Sequence, residues 1–302
     1  MLDTIQYRIF EEKNMTRVAL LGTGAMGFRL AENLLRQNYS LVVYNRTASK
    51  LKPLLEKGAI YAETPKAAAE QADIVISMVR DDQSSRSIWL SPDTGAVFGL
   101  SPGKVAITSS TLTVPWTKQL AKSLVSQGIA FLDAPVVGSR PQAEAGKLIY
   151  LAGGKSETLN QVKSVLLSAG AVAVHHVGEV GQGMAMKLAV NALFGVQVAA
   201  LAETLGFLSR SEISPEQAMA CLGELPVTSA AAKGAGSLMV NENYAPMFPI
   251  DLVGKDLNYV LQTAQAVNAS VPVAEAVSDI YQRAIAQGHG DKNITGVAKL
   301  FN

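Results

Sequence analysis

Apolar positions along the chain follow two patterns. From residue 16 to 177, short apolar runs alternate with stretches of helical period. The runs at 16–21 (TRVALL), 41–44 (LVVY), 74–79 (IVISMV), 105–108, 130–133, 148–152 and 172–177 predict buried strands. Helical periodicity over 25–37, 49–57, 115–127 and 157–168 predicts helices between them, with Gly58 ending the second. Another opens at Thr64 and Pro65, with Thr64 as N-cap and Pro65 in the first helical position. Gly153 and Gly154 predict a turn before a helix capped by Ser156. Alternation of this kind predicts an α/β fold with a largely parallel sheet. After Gly178, Gly181 and Gly183 the chain turns Ala-rich and helical. The expected division is an extension at 1–15, a dinucleotide-binding α/β domain at 16–177, and an all-α domain at 178–302 for substrate and oligomer contacts.

Composition sharpens this picture. The 302 residues are 48% hydrophobic and only 17% charged, with a mean hydropathy of +0.19. An apolar, core-rich composition of this kind argues against disorder. Lys and Arg total 26 against 25 Asp and Glu, so no basic footprint for nucleic acid exists. The one cysteine, Cys221, permits no internal disulfide and is read as a small buried residue in a reducing compartment. The apolar excess peaks at 188–208, long enough for a bilayer span of about 20 residues. That stretch contains Asn191, Gln197 and Glu203, which are costly in lipid, so it predicts a helix buried by protein. Residues 1–15 carry Asp3, Arg8, Glu11, Glu12 and Lys13 and do not read as a signal peptide. A cytoplasmic protein with a small-molecule substrate, and with neither nucleic-acid nor membrane partners, is expected.

The candidate chemistry begins with Gly22-x-Gly24-x-x-Gly27 between an expected strand and an expected helix. Gly22 permits a tight turn, Gly24 lets backbone approach a pyrophosphate, and Gly27 allows the helix to pack on the strand. The helix start at Ala25 and Met26 presents free N–H groups to phosphate. About 20 residues on, a site for NAD carries Asp or Glu. Here Asn45, Arg46 and Thr47 stand instead, and the Arg46 guanidinium can pair with a 2′-phosphate, favouring NADP while leaving NAD possible. Met78 and Val79, at the carboxyl end of a strand, join the cofactor contacts. Gly154, Lys155 and Ser156 imitate the end of a Walker loop, but Ile149 occupies its first glycine position.

Lys187 and Asn191, four apart on an apolar helix, share a face with Gly183, whose missing side chain is expected to leave room for a ligand. A lysine ammonium can protonate a carbonyl oxygen as hydride reaches its carbon, and it stabilises the developing charge. Loops after strands add Ser109, Ser110 and Thr111, and the segment 133–140 (DAPVVGSR). N–H groups at Val137, Gly138 and Ser139 are candidates to hold a carboxylate, with Arg140 as a possible added charge or a surface residue. His175, His176 and His289 form no metal motif.

Four ordered blocks resemble the β-hydroxyacid dehydrogenase family over residues 16–302. They are Gly22, Gly24, Met26 and Gly27; Asp133-Ala134-Pro135-Val136 continuing to Gly146; Gly183, Lys187 and Asn191; and Phe248, Leu252, Lys255, Asp256 and Leu257. The resemblance implies a Rossmann-type N-terminal domain and a helical C-terminal domain that builds homodimers or homotetramers. It implies Lys187 as catalytic acid/base. Thr111 and Lys255 would lie near the cofactor, unless Lys255 is a surface charge paired with Asp256. Asn191, Val137, Gly138, Ser139 and Phe248 would hold the substrate. Val137-Gly138-Ser139 departs from the family's usual Ser-Gly-Gly, and Thr108 stands where Asp is common. Asn45-Arg46-Thr47 and Gly138-Ser139-Arg140 look most similar to the glyoxylate/succinic semialdehyde reductase branch. Lys187 speaks against the imine reductases of this fold, which often replace it. The expected activity is NADPH-dependent reduction of a small carboxylate-bearing aldehyde. The alternatives are an NAD-dependent 3-hydroxyisobutyrate dehydrogenase, a tartronate semialdehyde reductase and, in a different class, a non-catalytic NADP-binding scaffold.

Overall fold

The computed structural model describes residues 16–301, so the extension at 1–15 lies outside the described residues. The chain forms two compact units that divide between Lys187 and Leu188. The division falls ten residues beyond the expected boundary at 177/178. The first turns of the long helix belong with the sheet, where Gly181 and Met184 are hydrogen-bonded to Asp133.

The first unit is built on β1 (Arg17–Leu21), α1 (Ala25–Arg36), β2 (Ser40–Tyr44), α2 (Lys52–Leu55), β3 (Ile60–Tyr61), α3 (Pro65–Glu70), β4 (Ile74–Ser77) and α4 (Asp82–Leu90). It continues through β5 (Val105–Thr108), α5 (Val114–Val125), β6 (Ala130–Asp133), β7 (Val136–Val137), α6 (Arg140–Glu144), β8 (Leu148–Gly154), α7 (Ser156–Ser168) and β9 (Ala171–Gly178). The strands described form one sheet in the order β3-β2-β1-β4-β5-β6-β8-β7, with β9 paired to β8. The strands from β3 to β6 are parallel, and β6–β8 and β7–β8 are antiparallel. This is the Rossmann order, in which chain direction across the sheet reverses between β1 and β4 and ligands bind at the carboxyl ends. Leu20, Val43, Ile76, Ile107 and Leu132 from neighbouring strands join Leu30, Leu34, Val162 and Leu166 from the helices in one core. Each such side chain contributes about 1.5–3 kcal/mol by leaving water.

Local departures have local causes. The expected helix at 49–57 is a 3₁₀ turn (Ala48–Leu51) followed by α2. Pro53 has no N–H to continue the preceding turn. Ser156 is the first residue of α7 rather than its cap; Lys155 occupies the cap and makes no side-chain capping bond. α4 was not expected: its sequence is polar, and it is started by the Asp81 carboxylate accepting from Ser84 N–H at 2.8 Å. The segment 133–140, expected as a loop, holds β7 and the first residue of the short α6.

The second unit is helical: the remainder of α8 (Gln182–Arg210), then α9 (Pro215–Leu222), α10 (Ala230–Val240), α11 (Ile250–Ala266) and α12 (Pro272–Ala286). Val198, Leu201 and Leu205 of α8 pack with Val253, Leu257, Val277 and Tyr281 in its core. The Tyr281 hydroxyl donates to Gly195 O at 3.1 Å. By length and composition α8 could cross a membrane, with 29 residues and a hydropathy of 1.6. Cys221 is exposed, not buried. Ala218, Met219 and Leu222 supply the core face of α9, leaving Cys221 outside it.

Candidate active site

The phosphate loop lies where the strand order reverses. Gly22 takes φ +98°, and a Cβ there would sit 2.5 Å from Met78 O and 3.1 Å from Val79 Cγ1. Met78 and Val79 therefore flank the loop, just past the end of β4. A Cβ at Gly27 would collide with Gly22 O, whereas one at Gly24 would meet nothing within 4 Å. Gly22 and Gly27 are thus required by the fold, and the space over Gly24 is open to a ligand. Gly24 also caps α1, whose first turn has neither a side-chain cap nor an acidic residue. The N–H groups of Ala25, Met26 and Gly27 have no intrahelical acceptors and face the positive end of the helix. These features fit a dinucleotide pyrophosphate.

Asn45 Oδ1 accepts from Thr23 N–H at 3.2 Å, and its Nδ2 donates to Thr47 O at 3.0 Å. Asn45 thus braces the phosphate loop against the loop after β2. Its neighbours Arg46 and Thr47 are exposed there. Thr111 is half-buried beyond β5.

In the substrate loop, Gly138 takes φ +118°. The Ser139 N–H and hydroxyl both donate to Gln142 Oε1 at 2.9 Å. That capping arrangement of α6 uses one of the three N–H groups expected to hold a carboxylate. Arg140 is half-buried at the start of α6, and its Nε has no hydrogen-bond partner.

Lys187 and Asn191 are both 8% exposed. A solvated polar stripe is therefore ruled out. Gly183, expected to leave room for a ligand, does not: a Cβ there would lie 2.5 Å from Leu151 O and 2.7 Å from Asp133 O. Its absent side chain is filled by strand backbone.

In the second unit, Asn191 Nδ2 donates to Asp256 Oδ2 at 2.6 Å. Lys255 Nζ lies 2.7 Å from Asp256 Oδ1 and 4.3 Å from the centre of the Tyr259 ring. Asp256 is 3% exposed and the Lys255 side chain 15%, so their pairing is not a surface one. A carboxylate only accepts, so it fixes the Asn191 amide with Nδ2 inward and leaves Oδ1 as an acceptor. Sequence reasoning saw Asp256 only as a neighbour of Lys255; its spacing from Asn191 carries no local signal. Phe248 is half-buried on the helical core, its N–H donating to Asn293 Oδ1 at 3.1 Å. Among the described residues, no group of three or more His, Cys, Asp or Glu is placed to hold a metal ion.

Family models, curated relatives and solved structures match the chain along most of its length. A family model described as the NAD binding domain of 6-phosphogluconate dehydrogenase matches residues 17–192. One described as NAD-binding of NADP-dependent 3-hydroxyisobutyrate dehydrogenase matches residues 181–301. Glyoxylate/succinic semialdehyde reductase 2, chloroplastic, of Arabidopsis thaliana is 31% identical over 96% of this chain and 81% of its own length. The uncharacterized oxidoreductase YfjR of Bacillus subtilis is 32% identical over 94% of this chain and 99% of its own. The solved structure of 3-hydroxyisobutyrate dehydrogenase from Mycobacterium tuberculosis with L-serine superposes with a TM-score of 0.86. It is 25% identical and covers 95% of this chain and 99% of that one.

Proposed function

The chain belongs to the β-hydroxyacid dehydrogenase family of NAD(P)-dependent oxidoreductases, and from that premise we propose that it is an NADPH-dependent reductase of a small carboxylate-bearing aldehyde. Succinic semialdehyde and glyoxylate are the substrate types assigned, giving the corresponding hydroxyacid. The observation that carries the reading is the burial of Lys187, a cation in an apolar helix. Lysine is rarely buried this far, and buried titratable side chains concentrate at functional sites.

When bound, the nicotinamide supplies the hydride. Lys187 Nζ gives a proton to the nascent alkoxide oxygen and stabilises its charge before that transfer. Asn191, with Oδ1 left as acceptor, orients the substrate, and Asp256 holds that amide in place. Val137, Gly138, Ser139 and Phe248 are assigned to the substrate, and Thr111 and Lys255 to the cofactor side.

The NADP preference rests on Arg46, exposed after β2 with no carboxylate at that strand's end. Arg46→Ala is expected to weaken NADPH binding about 10- to 100-fold, the worth of one charge-assisted phosphate pair, with NADH affinity nearly unchanged. Fluorescence titration with both dinucleotides checks this; equal losses would remove the argument. An NADPH-oxidation panel of glyoxylate, succinic semialdehyde, tartronate semialdehyde and methylmalonate semialdehyde, repeated with NADH, tests the substrate class. Faster turnover with NAD+ and 3-hydroxyisobutyrate in the oxidative direction would replace this reading with the dehydrogenase one.

The same reading includes a cytoplasmic homodimer or homotetramer. Leu193, Ala200 and Phe207 are exposed and spaced by seven along α8, so they share one face of the helix. Phe207→Glu is expected to shift the protein to smaller species by sedimentation at micromolar concentration. A wild-type monomer under those conditions would contradict the assembly.

A further inference from the structure

We propose that Asp133 is a positioning residue for the reaction: it seats the first turn of α8 and thereby sets where Lys187 stands. This rests on the reading of Lys187 as the acid/base.

α8 follows Gly181, which has no side chain to cap a helix. The cap comes from β6 instead. Asp133 Oδ1 accepts from Gly181 N–H and Oδ2 from Met184 N–H, both at 2.7 Å. These are charge-assisted bonds at the positive end of a long helix. A further tie runs from Leu112 N–H to Met184 Sδ at 3.1 Å.

The surrounding glycines leave the carboxylate one position. A Cβ at Gly153 would lie 2.7 Å from Asp133 Oδ1 and 2.8 Å from Gly183 N. A Cβ at Gly183 would lie 2.7 Å from Asp133 O. Gly181 takes φ +91°, and a Cβ there would lie 2.9 Å from Lys118 Cε. Helix start and strand end therefore meet backbone to backbone, with the carboxylate as the joint.

Lys187 stands one helical turn beyond this joint, about 6 Å along the axis from Gly183. Any shift of residues 181–184 is passed to it through the backbone. A misplacement of about 1 Å in a reacting group costs on the order of 10²-fold in rate. Burial pushes the Asp133 carboxyl up to about 7, against the Gly181 and Met184 amides and the Lys118 charge, which lower it. A carboxylate this desolvated is a poor device for stability alone.

The test compares Asp133→Asn, Gly183→Ala and Lys187→Ala in the full chain with NADPH and the semialdehyde that wild type reduces fastest. Asparagine keeps the shape and one acceptor but turns an NH₂ toward a backbone N–H. Gly183→Ala leaves the carboxylate intact and pushes the helix off the strands. Both are expected to lower kcat about 10- to 100-fold, with the NADPH Kd from fluorescence within about twofold of wild type. A kcat within about threefold of wild type in either folded variant overturns the proposal. So does a parallel loss of NADPH affinity, which marks a general structural role. If Asp133→Asn fails to fold, Gly183→Ala decides alone. Activity surviving in Lys187→Ala sinks the acid/base reading itself; an inactive Lys187→Ala beside fully active positioning variants sinks only this inference.

Discussion

Replacing Lys187 with alanine is expected to lower kcat by at least about 10³-fold while the NADPH Kd stays within about twofold. Two separate contributions disappear together. Proton transfer by a positioned acid is worth about 10²–10⁴-fold, and a fixed cation facing a developing alkoxide adds electrostatic stabilisation. Neither acts on the Gly22–Gly27 loop, the proposed seat of the dinucleotide phosphates. Lys187→Arg separates the two contributions. It keeps the positive charge but offers an acid of pKa above about 12, so little activity is expected to return. Lys187 is only 8% exposed, so alanine also removes its packed stem and its polar interactions from the fold. Tm by calorimetry is therefore expected to fall by a few degrees in Lys187→Ala, with the protein still folded. Single-turnover NADPH oxidation reads the rate, and a loss below about tenfold would remove Lys187 from the chemistry.

The elements that were legible in the sequence are those whose signal is local. β1, β2, β4, β5 and β6 are short apolar runs buried on both faces, and each appears within two residues of its expected bounds. Thr64 caps α3 through its bond to Ala67 N–H at 3.0 Å, because cap and recipient lie three residues apart. The glycine spacing of the phosphate loop is equally local, and Gly22, Gly24 and Gly27 have separable physical reasons.

What stayed hidden depends on residues far apart in the chain. Asp133 caps α8 across 48 and 51 residues, and Asn191 meets Asp256 across 65. No periodicity encodes such pairs. Gly183 was misjudged for the same reason: a glycine on a helix face looks like space for a ligand until the strand backbone that fills the space is known. Asn45, expected at the cofactor, also bonds Thr23 and Thr47, and Ser139, expected at the substrate, also bonds Gln142. α4 escaped notice because its core face is only Ser85 and Trp89, with Trp89 Nε1 donating to Ser77 Oγ at 3.1 Å.

The paired variants Gly24→Ala and Gly27→Ala are expected to lose NADPH binding for opposite reasons, each by about 10²-fold or more. At Gly27 the added methyl collides with Gly22 O, a backbone atom that cannot swing aside. The loop must move off α1, so Tm should fall by several degrees, consistent with about 1–3 kcal/mol of overpacking. At Gly24 the backbone has φ −69°, which any residue adopts, and a Cβ meets nothing within 4 Å. Alanine there restricts the unfolded chain by about 0.4–1 kcal/mol, which offsets the preference of the N-cap for glycine over alanine, so the ligand-free protein should keep its stability. Its methyl instead occupies the space the pyrophosphate needs in order to approach the first turn of α1. Binding lost together with Tm at position 27, and binding lost while Tm holds at position 24, would distinguish a glycine required by the fold from one required by the ligand. Normal NADPH affinity in Gly24→Ala would mean that the dinucleotide does not cross the open face of this loop.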